Sequence, residues 1–558
     1  MKRRSMSRRE RNRGNRNSRK RREKGKKFKR DMRSFLKEFD IEQYLERAKS
    51  MDRRFILHVG PTNSGKTYDA LRALKTAGRG VYLGPLRLLA LEMYDTLNEQ
   101  GVPCELLTGE EFIRTENAAV TASTIELCNF NKRYDVAVID EAQLISDPHR
   151  GGSWTKAIFM VDAAEVHICM SPDAEDVICR ILKGFKADYE IRRHERLAPL
   201  EFAGQIKDLK EVQDGDALIV FSRRAVLATA AELENLGKKA SVIYGALPPA
   251  SRREEVRKFA GGENTVVVST DAIGMGISLP IRRVIFRELT KFDGEDDRTL
   301  YGSEIRQIAG RAGRFGIYDK GEVLTMAAPE IVEEALGETG EPLRDVTIPF
   351  PREAIDTGFF FDKLFDEWER LPFIPGFVRE DMSEAAFLLN TLGGKLARGF
   401  DRKLLFELIT CPVDIKNERL VMYWLECCIA IGVEGIPEEP DFETDTLEGC
   451  ELQYKALDVR HQLLRRIGIE DPRMDEKLEL CRKINKLLME DKNTFRKRCR
   501  RCGRLLPATF PFGICDSCFR SGRGGRRGSD CRGGRRGERR GSRHYRRVRW
   551  RRVRWRRG

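Results

Sequence analysis

From Arg54 onward the chain alternates short apolar runs with longer stretches of helical periodicity, and that alternation leaves few folds open. Phe55–Val59, Val81–Leu83, Ala118–Ala122, Val136–Asp140 and Val166–Met170 read as strands buried on both faces. Ala217–Phe221, Ser241–Tyr244, Val266–Thr270, Val284–Phe286 and Val323–Thr325 repeat the pattern after a connection near Arg192–Gly215. The expected fold class is α/β, with two tandem doubly wound parallel sheets. After about residue 346 strand signals fade, and Phe387–Leu396, Leu404–Ile409 and Lys477–Met489 predict an all-α region. With 558 residues and 41% hydrophobic content, the chain can bury several cores.

The first sheet carries nucleotide chemistry. Gly60, Pro61, Thr62, Asn63, Ser64, Gly65, Lys66 and Thr67 form a phosphate loop between an apolar strand and a helical stretch. Glycines let backbone N–H groups approach phosphates, Lys66 neutralises them, and the Thr67 hydroxyl suits Mg²⁺. Alone, such a segment could be an ordinary Gly-rich turn. Val136–Asp140 then ends in Asp140-Glu141-Ala142-Gln143, where Asp140 is placed to hold Mg²⁺ and Glu141 to polarise the attacking water. Gln143 is expected to sense the γ-phosphate or to connect to the next domain. In the second sheet's region, Gln307, Arg311 and Arg314 are spaced to share one helical face. Planar guanidiniums suit phosphate, and such arginines can act on a nucleotide held by the other domain. These three elements in order predict two RecA-like domains that bind and hydrolyse ATP. Gly274 and Gly276 lie in a loop placed to couple the nucleotide to a second ligand.

That second ligand is expected at the carboxyl ends of the strands. Pro85, Arg87, Thr108, Gly109, Thr124 and Glu126 in the first domain, with Ser222, Arg223, Gly245 and Thr270 in the second, supply small polar and basic groups there. These suit sugar–phosphate contacts that do not read sequence.

The phosphate loop with its Pro-Thr-Asn-Ser, Gly84–Ala90, Asp140–Gln143, Arg150–Thr155, Ile243–Pro249, Ser269–Gly276 and Gln307–Gly316 together resemble superfamily-two RNA helicases of the mitochondrial degradosome (suppressor-of-Var) type, which also have bacterial relatives. The likeness runs from about 54 to 330 and weakens to about 415. It implies RNA-stimulated ATP hydrolysis with Mg²⁺, 3′→5′ unwinding, an exoribonuclease partner, and C-terminal helices that help enclose the strand. Two departures stand out: Ala142 replaces the usual Ile, and Met170-Ser171-Pro172-Asp173 replaces the Gly-Glu-Pro-type turn that couples hydrolysis to unwinding. The expected function is an ATP-dependent RNA helicase acting in RNA decay or ribonucleoprotein remodelling. The alternatives are a DNA or hybrid helicase, or an ATP-switched RNA-annealing scaffold.

Cys499, Cys502, Cys515 and Cys518 form two CxxC pairs twelve residues apart, which predicts a structural Cys₄ Zn²⁺ knuckle. Cys169, Cys179, Cys427 and Cys428 sit in apolar contexts and read as reduced core thiols. Charge is unevenly placed. Residues 1–30 hold 17 basic and two acidic residues, and 519–558 hold 18 and two. Since the whole chain is only +16, its middle carries about −15. Arg-Gly-Gly repeats with Tyr545, Trp550 and Trp555 suit phosphate contact and base stacking. The expected organisation is a basic arm (1–50), two RecA-like domains (51–195, 196–345), a helical domain (346–492), the zinc segment (495–520) and an Arg/Gly tail (521–558). No run approaches eighteen consecutive apolar residues, so no membrane partner is expected. The N-terminus lacks a secretory apolar core. Glu10 and Glu23 interrupt its likeness to a mitochondrial presequence. The expected location is a bacterial cytoplasm, with the mitochondrial matrix as the alternative.

Overall fold

A computed structural model describes residues 32–37, 41–109, 111–274, 279–293, 296–314, 316–338, 340–469 and 474–494. Gly276, the four cysteines of the expected zinc knuckle, the basic stretch 1–30 and the tail lie outside them.

The first sheet has eight strands: β1 (Arg54–Val59), β2 (Gly80–Gly84), β3 (Cys104–Leu107), β4 (Phe112–Ile113), β5 (Val120–Thr124), β6 (Arg133–Ile139), β7 (Asp162–Met170) and β8 (Asp188–Arg193). Their spatial order is β4-β3-β5-β2-β6-β7-β1-β8, and only the β3–β4 pair is antiparallel. β2 and β5 are buried along their whole length, because helices cover both faces. The second sheet contains β9 (Leu200–Gln205), β10 (Asp216–Ile219), β11 (Ala240–Ile243), β12 (Val266–Ser269) and β13 (Arg283–Phe286). A hairpin of β14 (Thr290–Phe292) and β15 (Asp297–Thr299) precedes its last strand, β16 (Gly321–Thr325). The order is β11-β12-β10-β13-β16-β9, parallel throughout.

Three helices begin at or contain expected site residues: α1 (Lys66–Leu74), α2 (Arg87–Glu99) and α3 (Gly302–Ala309). The C-terminal region is helical, apart from a parallel pair of short strands, Val346–Ile348 and Phe377–Arg379. Its long helices α4 (Leu447–Arg466) and α5 (Met474–Thr494) are docked rather than free. Leu452, Ala456, Val459 and Leu463 of α4 belong to the core shared by the first sheet and the C-terminal helices. Leu447, Cys450, Tyr454 and Leu457, with Leu480, Ile484 and Leu488 of α5, belong to the core of the second sheet. One helix thus has two apolar stripes and joins both bodies. No helix among the described residues is long and apolar enough to cross a membrane. Every described cysteine is buried and free, as a reduced interior requires.

Candidate nucleotide site and nucleic-acid interface

The loop Gly60–Gly65 leaves β1 and opens α1. Its shape depends on two crowded or twisted positions. A side chain at Gly60 would collide with the His194 carbonyl at 2.6 Å, and Gly65 caps α1 at φ +79°. Asn63 holds φ 60° despite its side chain. Such a backbone costs about 1 kcal/mol or more and persists where the surroundings over-determine it. Here the Asn63 amide donates to the Gly310 carbonyl at 3.1 Å, and its own carbonyl accepts from the Leu197 N–H.

The residues present fit a nucleotide and its Mg²⁺. The Ser64 hydroxyl is buried without a hydrogen-bond partner in the middle of the loop. Asp140 is buried at the end of β6. Its carboxylate accepts from the Tyr82 hydroxyl at 2.8 Å, the Glu141 N–H at 2.9 Å and the Thr67 hydroxyl at 3.3 Å. Burial, and then the neighbouring Glu141 charge, push the Asp140 carboxyl up to about 6 against the pull of Lys66. A crowded anionic pair facing a hydroxyl and an ammonium group suits a divalent cation. Thr67 and Asp140 would hold Mg²⁺, which would supply neutralising charge at the phosphates. Lys66 Nζ donates to the Pro61 carbonyl at 3.1 Å, at the mouth of the same loop.

Glu141 also takes left-handed geometry, at φ 51°. The Gln143 amide donates to its carboxylate, and the Gln143 carbonyl accepts from the Ser171 N–H at 3.3 Å. Gln143 therefore connects Glu141 to the Met170–Asp173 turn. Despite its altered residues, that turn is linked to Glu141 through the Gln143 amide. Trp154 donates to the Asp140 carbonyl at 3.0 Å and fixes the strand end from behind.

The second domain completes the site. Gln307 is on α3, but Arg311 and Arg314 are not on its face as their spacing suggested, because α3 ends at Ala309. Gly313 follows at φ +68°, with Gly321 so close that a side chain on Gly313 would sit 2.4 Å from its nitrogen. The close approach breaks the helix and turns Arg311 inward. The Arg311 Nε donates to the Gly274 carbonyl at 3.0 Å, beside Gln307. Burial lowers its ionisation, while the charges of Glu141, Glu92 and Asp140 support it. Glu92, on α2, is pushed up by burial and held back by Arg314 and Arg311. Gly310 comes so near the phosphate loop that a side chain on it would meet Thr62 at 2.9 Å. Arg196, in the short link between β8 and β9, locks this contact. It donates to the carbonyls of Thr62 and Gly310, both at 2.9 Å, and to that of Ala312. Burial pushes its guanidinium down to about 10. Arg196, Tyr82 and Glu92 were missed by the sequence reading. The one available signal was a basic residue in a six-residue link.

The expected nucleic-acid residues lie at strand ends, and several are engaged by protein groups. Arg150 donates to Glu126 at 2.7 Å and to the Pro85 carbonyl at 2.5 Å. Arg87 at the start of α2 lies beside Gly109 and pairs with Asp458 of α4 at 3.3 Å. Arg223 pairs with Glu451 at 2.6 Å and Glu448 at 3.0 Å, and Tyr244 also donates to Glu451. Arg465 donates to the Thr108 carbonyl at 2.6 Å. Burial alone would raise Asp458, but Lys477 and Arg87 hold it below the usual carboxylate range. Ser222 caps the following helix through the Ala225 N–H. The Gly245 carbonyl accepts from Arg252. Thr270 accepts from the Ala272 N–H, and Thr124 is buried where β5 ends. Helix α4 thus runs alongside both sets of loops.

Comparison with known proteins agrees with this geometry. The family described as "DEXQ-box helicase domain of Suv3" matches residues 42–194, and "Helicase conserved C-terminal domain" matches 202–316. A mitochondrial ATP-dependent RNA helicase SUV3 of Candida albicans is 42% identical over 279 residues, covering 49% of this chain and 39% of that protein. This chain therefore spans about two fifths of that relative's length. A mitochondrial DExH-box ATP-dependent RNA helicase of Arabidopsis thaliana is 37% identical over 398 residues, 66% of this chain and 67% of the relative. A yeast Dbp5 structure bound to RNA and ADP BeF3 overlaps 52% of this chain and 84% of its own, at 17% identity and a TM-score of 0.40. Both named helicase relatives are mitochondrial, which overturns the expectation of a bacterial cytoplasmic setting. On its likeness to the Arabidopsis protein across two thirds of both chains, and on the match over its first sheet, this protein belongs to the Suv3-type DEXQ-box helicases.

Proposed function

We propose that the protein is an ATP-dependent RNA helicase that unwinds 3′→5′ in RNA decay or ribonucleoprotein remodelling, in mitochondria, with an exoribonuclease as partner. One observation carries the motor reading. The Gln307–Arg314 segment of the second domain is packed on the phosphate loop of the first through Asn63, Arg196 and Gly310. Hydrolysis at such a shared site alters how the two domains are held, and loops from both domains lie at the strand ends where RNA would be gripped. The names of the relatives support RNA as substrate. In this reading Glu141 takes a proton from the attacking water, and Lys66, Arg311 and Arg314 stabilise charge developing on the transferred phosphate. The basic ends at 1–30 and 519–558 add affinity for phosphate backbones without sequence preference.

Strand displacement on tailed duplexes tests it directly. A 3′ RNA tail should support ATP-dependent unwinding, and a 5′ tail should not. Preference for a DNA loading strand would move the assignment to a DNA helicase. Strand annealing that survives in Lys66→Ala, with no unwinding by the wild type, would make the protein a scaffold.

The zinc knuckle is proposed on the spacing of Cys499, Cys502, Cys515 and Cys518. Purified protein should carry about one thiolate-bound Zn²⁺ per chain. A Cys499→Ser/Cys502→Ser variant should lose it, and unchanged zinc content in that variant would refute the site.

A further inference from the structure

Beside the phosphate loop the first sheet buries a row of histidines that ATP chemistry does not use. β1 is flanked by β7 and β8, and His58, Cys169 and Arg192 stand in register on one face, with Ile56, His167 and Glu190 one step before them. His194 continues the β1–β8 pairing by donating its N–H to the Val59 carbonyl at 2.7 Å. The imidazoles meet nitrogen to nitrogen. His58 Nδ1 lies 3.0 Å from His194 Nε2, and His58 Nε2 lies 2.9 Å from His167 Nδ1. His58 is fully buried and His167 nearly so. Asp69, in the first turn of α1, closes on the outer end. One ligand atom each from His58, His194 and Asp69 all lie within 4.8 Å of one another.

We propose that His58, His194 and Asp69 form a metal site for a divalent transition ion, with Zn²⁺ the best match. Two borderline imidazole nitrogens and one hard carboxylate oxygen make a mixed set that Zn²⁺ accepts, and three protein ligands leave one position for water. In a tetrahedral zinc site with bonds of about 2.0–2.1 Å, neighbouring ligand atoms stand roughly 3.3 Å apart. The His58–His194 contact is within a few tenths of an ångström of that, and the Asp69 side chain, half-exposed on a helix, has room to close. The outer shell is also present. With Nδ1 on the metal, His58 must carry its proton on Nε2, where His167 Nδ1 accepts it. The His167 Nε2, which is buried without a hydrogen-bond partner, then carries a proton and faces Glu165 at 3.6 Å. Carboxylate–histidine–histidine support of this kind orients a ligand and raises its basicity. An open cavity of about 420 Å³, lined by Asp69, His167, Glu165 and Arg192 among others, reaches one of the three ligands and the supporting His167–Glu165 pair.

The competing arrangement is a chain of neutral imidazoles sharing protons with no metal. It satisfies the two nitrogen contacts and leaves Asp69 only a loose pairing with Arg72 at 3.8 Å. A metal here would tie together β1, α1 and the link whose Arg196 holds Thr62 and Gly310. It would therefore stiffen the base of the nucleotide loop. The proposal does not depend on the helicase reading, because its test measures metal rather than ATP or RNA.

The experiment uses the full chain carrying Cys499→Ser/Cys502→Ser, so that thiolate ligation does not obscure the signal. Co²⁺ titration should give one equivalent of visible d–d absorption without thiolate charge transfer, displaced by Zn²⁺. Adding Asp69→Asn should weaken that binding at least tenfold, and adding His194→Gln should abolish it. Zn²⁺ should raise the Tm of the parent but not of the His194→Gln chain. Asp69 is half-exposed, so its variant keeps the test decisive if His194→Gln fails to fold. Metal uptake and Tm response that are the same in the parent and in Asp69→Asn would overturn the site. So would a parent that takes up no Co²⁺ or Zn²⁺ at all.

Discussion

An Arg311→Ala variant should bind ATP nearly as well as the wild type and turn it over about 10³-fold more slowly, since arginines supplied across a domain interface contribute about 10³–10⁵ to phosphoryl transfer. Arg311 is half-buried and aimed by the Gly274 carbonyl, and the charges of Glu141, Glu92 and Asp140 support its ionised form. It belongs to the second domain, whereas the loop that would hold the phosphates belongs to the first. Its removal therefore withdraws charge from the transition state rather than from ground-state binding. Arg314→Ala should behave in the same way, because Glu92 senses both guanidiniums. Single-turnover hydrolysis beside fluorescent-nucleotide binding separates the two effects. Affinity that collapses while bound ATP is still cleaved at the wild-type rate would make these arginines binding residues instead.

Lys66→Ala and Glu141→Gln should each lower RNA-stimulated hydrolysis by about 10²–10³ or more, the usual loss when one preorganised electrostatic or proton-transfer group is removed. The two should differ in binding. Lys66 faces the loop itself, so its loss should weaken nucleotide affinity as well. Glu141→Gln keeps size and hydrogen bonding beside Gln143, so ATP should bind and stay uncleaved. Near-normal turnover in either variant would move the active site elsewhere.

The strands that build the two cores were legible because each is a short apolar run buried on both faces, such as β2 and β5. β8 and β9 were not. Asp188–Arg193 and Leu200–Gln205 are half-buried edge strands of mixed polarity, so no apolar run announces them. The phosphate loop and the Asp140–Gln143 turn were readable because their chemistry is local: loop, hydroxyl, lysine and carboxylates lie within a few residues of a strand end. Arg311 was recognised as a residue and misread as a helical one, because Gly310 and Gly313 admit a break that spacing alone does not reveal. The site contacts of Arg196, Tyr82 and Glu92 are all to residues far along the chain, and nothing adjacent to them carries that information. The same holds for Arg87 and Arg223. Their basic character was visible, but their pairing with Asp458 and Glu451 of α4 depends on helices more than 200 residues away.

Besides the Asn63–Gly310 contact, the short link containing Arg196 and one long helix cross from the first domain to the second and restrict how the halves can move. The helix is α4, whose stripes Leu452–Leu463 and Leu447–Leu457 are embedded in different cores. Two bodies joined at one flexible point can tumble in any direction. Joined at two separated places they retain chiefly a swing about the line between them, as a door does on two pins. The stiffer pin is α4, because leaving either core exposes several large apolar side chains at about 1.5–3 kcal/mol each. The polar contacts Arg87–Asp458 and Arg465–Thr108 are the softer joint, since the arginines are partly exposed and Lys477 and Gln462 stay on Asp458 when Arg87 leaves. Displacement during a catalytic cycle should therefore concentrate along the strip where α4 meets the loops of the first domain, while the faces buried in either core travel as solid pieces.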